Sequence, residues 1–468
     1  MTKHKSIIVT LLATSLISGC VLIPEYQKPD LPVEKQFVND VAISKETHDA
    51  LSVTWKQFFK SKTLQDILQV TLDNNKDLRI AALNLKAAKE LYRIERSDTV
   101  PNLDLKTNAS RSKITQDESI TGNEYISSTY TANVATTAFE LDFFGKMRSQ
   151  NKTALEVFLA SNENKNAVQI LLIAQTADAY LQWLADKKIL KLVEETLITQ
   201  QKSYNLIEKS YENGVASKLD LAQVRTALET ARVNKALFSR KVSQDKNALT
   251  LLMGVKNSDL LQEEQVLDAI EIESSIPADL SSEILLLRPD IKKAEHILKA
   301  ANADIGAARA AFFPSIYLTG SIGFSSNSLQ DLFKNSASGA WSFSPEISLP
   351  LFKAGSNKAN LKYKKIQKEI AIAEYEKAVQ TAFKEVSDEL VAKQSLKDEL
   401  EASHQLVLAT KESYDLSYAR YTKGIDSFLN VLDAQRSLFT AQQNEVEVEK
   451  LLLSNRVNLY KVLGGGIK

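Results

Sequence analysis

Tyr211-Glu-Asn-Gly214-Val-Ala-Ser217-Lys-Leu219-Asp220 returns as Tyr421-Thr-Lys-Gly424-Ile-Asp-Ser427-Phe-Leu429-Asn430, and this pair of segments decides the architecture. Tyrosine, glycine, serine and leucine coincide at an offset of 210 residues (424 − 214). The offset holds downstream, where Leu228 meets Leu438 and Gly254 meets Gly464. Upstream, Val100-Pro101-Asn102-Leu103 answers Phe313-Pro314-Ser315-Ile316 at 213 (314 − 101), and Phe143-Phe144 answers Leu351-Phe352 at 208 (351 − 143). Matches in one order with small drift mark two tandem copies of one unit.

Working outward, each glycine turn closes a stretch free of proline and glycine, Lys146 to Glu212 and Asn357 to Thr422. At about 1.5 Å rise per residue each could reach on the order of 100 Å as one helix. Ile170, Ile173, Ala177, Tyr180 and Leu184 are spaced 3,4,3,4, and Val379, Phe383, Val386 and Leu390 are spaced 4,3,4. These are coiled-coil intervals. Gly214 and Gly424 then reverse the chain into return helices, Ser217 to about Leu252 and Ser427 to about Leu463. Ahead of the hairpins each unit opens with a helix. The first runs from Leu64 to Ile94 with Asp77 near its middle. The second starts at Arg288-Pro289-Asp290, where proline suits the first helical position, and runs through Ala300 to Ala311.

Between helix and hairpin lie two alternating segments per unit. Ile316, Leu318, Ile322 and Phe324 interleave with Tyr317, Thr319 and Ser321; Trp341, Phe343, Ile347 and Leu349 interleave with Ser342, Ser344, Glu346 and Ser348. Period two marks strands with one apolar and one polar face. The first unit is weaker: Leu103, Leu105, Thr107 and Ala109, then Tyr130, Ala132, Val134 and Thr136. The fold is therefore α+β. The expected partition is a signal peptide over 1–19, an N-terminal linker over 20–60 and a first repeat over 61–255, with strand pair 103–141 and hairpin 146–253. A linker over 256–287 leads to the second repeat over 288–464, with strand pair 315–350 and hairpin 357–463, and 465–468 is a tail. The hairpin helices carry narrow apolar stripes flanked by Gln, Asn, Lys and Glu. A hollow wall of helices with water on two sides fits this better than a solid bundle, which asks for a broader stripe; a plain periplasmic coiled coil fits it too.

The N-terminus addresses the chain to an envelope. Lys3 and Lys5 precede a short apolar run, Ile7 to Ile17, and then Leu16-Ile17-Ser18-Gly19-Cys20. The run is shorter than the about 20 residues a membrane-spanning helix needs, so it reads as a secretory signal. Its L-x-[SA]-G-C ending resembles the bacterial lipobox. That resemblance implies that Cys20 becomes the first mature residue and carries a diacylglycerol and an N-acyl chain. Stable anchoring takes more than one acyl chain, at about 0.8 kcal/mol per buried methylene. Val21 stands where an aspartate commonly retains a lipoprotein at the inner membrane, which points to the outer membrane. Cys20 is the only cysteine, so no intrachain disulfide forms. Lys plus Arg equals Asp plus Glu at 58 each, which gives no charge excess for nucleic acid. No later segment reads as a membrane-spanning helix, so a membrane crossing falls to the strands.

Two strands per unit give four per chain, and membrane barrels begin at about 8, so a membrane reading forces an oligomer. Two, three or four copies would supply roughly 8, 12 or 16 strands, and arithmetic leaves the choice open. Here the chain resembles the outer-membrane factor family, the TolC-like channels, and in particular the lipoprotein exit ducts of tripartite (RND-type) efflux pumps. The resemblance rests on the lipobox, Phe139-Glu-Leu-Asp-Phe-Phe-Gly145-Lys-Met-Arg148-Ser and Leu287-Arg288-Pro289-Asp290. It also rests on Ala310-Ala-Phe-Phe-Pro314, Tyr421-Thr-Lys-Gly424, Leu432-Asp433-Ala-Gln-Arg436-Ser-Leu438 and Val462-Leu463-Gly464-Gly465. It covers nearly the whole mature chain, in order. It implies a homotrimer whose twelve strands form an outer-membrane β-barrel, continued by a twelve-helix periplasmic α-barrel with a mixed equatorial belt. It also implies a periplasmic adaptor and an inner-membrane pump as partners.

The resemblance further places a gate at the narrow periplasmic tip, where the turns lie. Carried over by position, Leu429 and Asp433 form the inward ring, and Tyr421, Arg436 and Asp220 are partners that tie neighbouring helices. Some TolC-like channels have an acid at the position of Asn430 and an arginine at that of Asp426, so this ring follows the efflux-lipoprotein pattern instead. The residues carry plainer readings as well. Ser217-Lys-Leu-Asp220 is a capping box, with Ser427 capping the other helix in the same way; Arg436 reads equally as a solvated helix charge. Asp433 lies too far into its helix to cap it. Two carboxylates about 6 Å apart repel by roughly 0.7 kcal/mol in water and about 3 kcal/mol at an effective dielectric of 20. An Asp433 ring therefore favours opening, and closure falls to Leu429 and the ties, with Asp433 setting a preference for cations.

Three functions compete on these grounds: a passive exit duct for an efflux pump, a polypeptide secretion duct of the same fold, and a lipid-anchored spacer with no pore. The lipobox favours efflux over secretion, and duplication with paired strands argues against the spacer. His4, His48, His296 and His404 form no set with metal-ligand spacing, and Gly464-Gly465-Gly466 at the chain end reads as a tail, so neither an enzyme nor a bound metal is expected. The lack of a Met or His cluster disfavours a dedicated metal duct.

Overall fold

The computed structural model describes residues 21–37, 54–256, 259–261, 265–273, 281–334 and 338–465. The signal segment 1–19, the acylation position Cys20 and the last residues of the tail, 466–468, lie outside the described residues. Two short helices, α1 (Trp55–Phe58) and α2 (Lys62–Asn74), lead into α3 (Lys76–Ser97), β1 (Asp104–Ile114), β2 (Tyr125–Leu141), α4 (Lys146–Glu212) and α5 (Lys218–Met253). The order then recurs as α6 (Pro289–Ala310), β3 (Ser315–Ser326), β4 (Gly339–Ser348), α7 (Ser356–Thr422) and α8 (Phe428–Val462). α4 and α7 each run 67 residues, since neither contains a residue that would break it.

The chain divides into two compact units. One gathers Leu85–Ser161 and Lys293–Tyr375 with the N-terminal stretch ending at Asp30. It holds an antiparallel sheet in the order β1-β2-β3-β4. Register aligns Leu105, Val134, Ile322 and Trp341 in one row across all four strands. These side chains are 76%, 42%, 70% and 78% exposed, so one face of the sheet is apolar and uncovered within the chain. The adjacent row, Asp104, Ala135, Ser321 and Ser342, is on the other face by strand alternation. β2 carries an extra residue between Thr136 and Phe139, where Ala138 takes φ 51° and donates its N–H to Thr319 Oγ1 at 3.0 Å. This bulge shifts the alternation by one, which returns Phe139 and Leu141 to the apolar face.

The same unit holds the start of the described chain. Arg309 Nη1 donates to the Leu22 carbonyl at 3.1 Å and Asn302 Nδ2 to that of Pro24 at 2.8 Å. Gly306 makes room for this strap, since a Cβ there would lie 2.7 Å from Ile23 Cγ1. Lys28 completes it with an ion pair to Glu295 at 3.1 Å.

The second unit gathers the described residues of Leu31–Asn84, Asn162–Lys292 and Glu376–Lys468. Its core packs Phe58, Phe59, Leu64 and Ile67 against Ile173, Ala177, Tyr180 and Leu184 of α4 and Tyr460 of α8. Phe58, Phe59 and Tyr460 form an aromatic cluster with centroids 4.9–5.6 Å apart. The linker expected over 20–60 thus joins the core before its end. The expected 256–287 linker also contributes buried Leu261, Leu267, Ile270 and Ile272.

The expected single helix from Leu64 to Ile94 is broken at Asn75. Its Oδ1 accepts from the N–H groups of Asp77 and Leu78, and its Nδ2 donates to the Leu252 carbonyl at 2.9 Å. One asparagine thus starts a new helix and ties it to the end of α5. Buried Arg288 does the equivalent for α8. It donates to the Val462 carbonyl at 2.7 Å, to both Asp290 oxygens and to Glu385 at 2.8 Å, satisfying an end-of-helix carbonyl with a cation.

Candidate functional site

Both hairpin turns lie in the second unit and are built alike. Gly214 takes φ 74° and Gly424 φ 73°. Val215 N–H reaches the Ser210 carbonyl at 2.8 Å, and Ile425 N–H reaches that of Arg420 at 3.0 Å. These are Schellman closures, with the residue after the helix in the left-handed region. No atom lies within 4 Å of a Cβ built at either glycine, so the dihedral angle and not space requires glycine.

Side chains secure the two turns differently. In the first, Ser217 Oγ accepts from the Asp220 N–H at 3.1 Å, while the Asp220 carboxylate accepts from the Ser217 N–H at 2.9 Å and hydroxyl at 2.7 Å. The Ser217 hydroxyl and N–H hold the Asp220 carboxyl below its ordinary range. In the second, Ser427 is the N-cap but its side chain makes no capping bond, contrary to the sequence expectation. The third helical position there is Asn430, an amide in place of the carboxylate that closes the first box. Arg420 and Asp426 span this turn as a bidentate pair at 2.5 and 3.1 Å. The hydrogen bonds between them, with the opposite charges behind, lower the Asp426 carboxyl and raise the Arg420 guanidinium.

The two hairpins meet through a small apolar cluster of Ile207, Val224, Phe428 and Val431. Tyr421 packs edge-on to Phe428 with centroids 4.9 Å apart. Burial raises its hydroxyl pKa, helped by the Asp220 charge and by Tyr418. Leu429, Asp433 and Arg436 line one groove between α5 and α8, with a volume of about 310 Å³. Asp433 accepts from Arg436 Nη2 at 2.9 Å, three residues on in the same helix.

The structure therefore brings Leu429, Asp433 and Arg436 to one groove and Tyr421 to the apolar cluster, near Asp220. Within the chain the bonds found for Asp220 and Arg436 stay inside their own turn or helix. Sequence reading passed over the Arg420–Asp426 pair, whose only signal is opposite charges flanking a glycine turn. It also passed over Phe428 and a buried amide pair, Gln200 Nε2 donating to Gln435 Oε1 at 2.9 Å. Among the described residues no three His, Cys, Asp or Glu side chains converge to hold a metal, and no helix is long and apolar enough to cross a membrane.

A family model described as outer membrane efflux protein matches residues 67–255 and again 280–465. The chain is 47% identical over 465 residues to a toluene efflux pump outer membrane protein, TtgC, of Pseudomonas putida, covering 99% of this chain and 96% of that protein. It is 37% identical over 452 residues to the cation efflux system protein CusC of Escherichia coli, covering 96% of each. Among solved structures, the open state of the Neisseria gonorrhoeae MtrE outer membrane channel matches with a TM-score of 0.85 at 36% identity, covering 96% of this chain and 99% of that one.

Proposed function

The chain belongs to the outer membrane efflux protein family, and we propose on that premise that three copies close one channel from the outer membrane into the periplasm. It acts at the outer membrane as the exit channel of an efflux system. The family is one of channels and not an enzyme class. Relatives named for efflux of toluene and of cations favour neither the secretion duct nor the poreless spacer.

The observation that carries the assembly is the sheet. Among the described residues β1 and β4 are each paired on one side only, and the apolar row from Leu105 to Trp341 is exposed. Lipid tolerates no open strand edge, and closure begins at about 8 strands, so one chain is not enough. Three copies give twelve strands, and α4, α5, α7 and α8 from each give the twelve-helix barrel below, with the mixed belt between. Cys20 carries the acyl anchor. A periplasmic adaptor joins the tip to an inner-membrane pump, which selects the cargo.

The gate in this reading is the ring of Leu429 and Asp433. Arg436, paired to Asp433 in its own helix, offsets part of the repulsion that three close carboxylates would generate. Leu429 occludes and Asp433 sets cation preference, while an adaptor that binds the open arrangement better shifts the equilibrium to it. Native mass spectrometry of detergent-extracted protein tests the assembly. Three chains per particle, each with an acyl mass that Cys20→Ser removes, is the expected result; a folded monomer overturns it.

A further inference from the structure

Each repeat sets a 22-residue helix beside a 67-residue one, α3 with α4 and α6 with α7. α6 starts 213 residues after α3 (289 − 76) and α7 starts 210 after α4 (356 − 146), so each helical position has a counterpart. In the compact unit that holds the sheet, side chains link these helices in sequence. Tyr92 of α3 stacks on Phe158 of α4 with centroids 6.2 Å apart, and Asp304 of α6 pairs with Lys364 of α7 at 2.6 Å. Between the repeats, α6 meets α4 in an antiparallel seam. His296 Nδ1 lies 2.6 Å from the Glu156 carboxylate, and Thr153 Oγ1 donates to Asp304 at 3.0 Å.

The α6–α7 contact repeats the α3–α4 contact one unit later. The α4–α6 seam is answered differently, because both faces that would repeat it are uncovered. Shifted by 213, His296, Ala300 and Asp304 become Leu83, Ala87 and Leu91 of α3. Shifted by 210, Thr153, Glu156 and Ala160 become Tyr363, Ile366 and Ile370 of α7. Glu156, Ala160 and Ala300 are buried, at 6% exposure or less, whereas Leu83, Leu91, Tyr363, Ile366 and Ile370 are 43–61% exposed. Large apolar side chains thus stand open at positions that are packed one repeat away, which marks the two faces as halves of one contact.

We propose that a second copy of the chain covers them: α3 of one copy docks antiparallel on α7 of the next, with Leu83 against Ile366 and Leu91 against Tyr363 of that next copy. The proposal rests on the three-chain reading and deepens it, since it states which faces meet and in which register. The contact is head to tail, so copies close into a ring. Its chemistry inverts that of the seam inside the chain. There the buried Glu156 carboxylate is held by Lys152 at 2.6 Å and by His296; between copies the same positions bring apolar groups together. An α3 that strayed onto α4 would leave Glu156 without its histidine, and an α6 that strayed onto α7 would bury His296 and Asp304 against isoleucine and tyrosine. Each seam therefore rejects the other's partner, which keeps α6 in its own chain and reserves α3 for the neighbour.

The test uses full-length protein extracted in detergent. Leu91→Cys combined with Tyr363→Cys, treated with a short thiol cross-linker and separated under denaturing conditions, should give covalent dimers and trimers. Neither single variant should do so, nor Leu91→Cys with Ile370→Cys, which lies about two turns along α7; wild type, with Cys20 as its one cysteine, is the blank. Ile366→Glu, which sets an unpaired carboxylate in the apolar seam, should shift the native particle from three chains to one. Thermal unfolding identifies any variant that fails to fold. Chains linked only to themselves, or folded Ile366→Glu protein that stays at three chains, overturn the proposal. Three-chain particles without the cross-link refute this seam and leave the closed channel standing; wild type that runs as a folded monomer refutes the assembly itself, and the seam with it.

Discussion

Between Tyr211 and Asp220 the chain turns on a glycine and a reciprocal serine–aspartate cap; between Tyr421 and Asn430 it turns on the same glycine and an arginine–aspartate pair. Both turns share the glycine's bond back to its tyrosine and the closing bond from the next residue, and the first adds Ala216 N–H to the Ser210 carbonyl at 3.1 Å. The left-handed residue is therefore the part of the turn that side chains cannot replace, whereas the device that secures it can be a hydrogen-bonded cap or an ion pair. The second turn also inserts Phe428 into the apolar cluster where the first presents Lys218. The second hairpin is thus the one whose tip is built into a core, and its remaining restraint is ionic.

The largest expected effect breaks this asymmetry directly. Phe428→Ala empties the centre of the cluster and should cost about 3–4 kcal/mol in chemical unfolding, while Lys218→Ala should stay within about 0.5 kcal/mol. Equal losses would show that the two tips are packed alike.

Deeper in the hairpins the comparison turns on pH. Burial, with the neighbouring Asp186 carboxyl, pushes Asp245 up to about 6. Lys241 and Lys450 oppose this, and Lys241 lies 3.8 Å from Asp186. At the matching position the second hairpin has Asn455, bonded to Glu389 at 2.6 Å. An acid whose folded pKa is raised above its ordinary 3.8 holds its proton better when folded, so its stabilisation is greatest below about pH 4 and is lost as pH rises to about 6. Thermal unfolding from pH 4 to 8 should show Asp245→Asn gaining on wild type across that window and then keeping a constant lead. A flat difference would show that Asp245 is not raised in the folded protein.

Smaller effects sharpen the cap comparison. Ser217→Ala should lose about 1 kcal/mol and Ser427→Ala almost nothing, because only the first hydroxyl is bonded to its helix. Smallest of all is Asp426→Asn. It should quicken hydrogen exchange of the amides around Gly424 at low salt, and the difference should vanish at high salt, as for any exposed pair.

How much of this was legible beforehand follows from which physics acts locally. The long helices are written in the absence of glycine and proline from Lys146 to Glu212 and from Asn357 to Thr422, and the turns in Gly214 and Gly424. The strands of the second repeat stand out because Trp341, Phe343 and Ile347 alternate with serine and glutamate. The break at Asn75 was legible only in part: the cap its Oδ1 makes to Asp77 and Leu78 is local, whereas its tie to the Leu252 carbonyl lies 177 residues away. The bulge at Ala138, a residue with no preference for positive φ, was not legible. At the candidate site, position alone picked out Leu429 and Asp433. The pairing of Asp433 with Arg436, the bond between Gln200 and Gln435 and the silent Ser427 emerge only when side chains are placed. Ser427 is the instructive case: a cap signature of serine without its acid three residues on did not form the bond.

Single-channel conductance of the detergent-extracted protein in a planar bilayer tests the central claim most directly, with wild type beside Leu429→Ala and Asp433→Asn. Small, cation-preferring wild-type currents are expected. They should grow in Leu429→Ala and lose their charge preference in Asp433→Asn. No current from any of the three, despite a folded oligomer, would contradict the account of a channel gated at its hairpin tips.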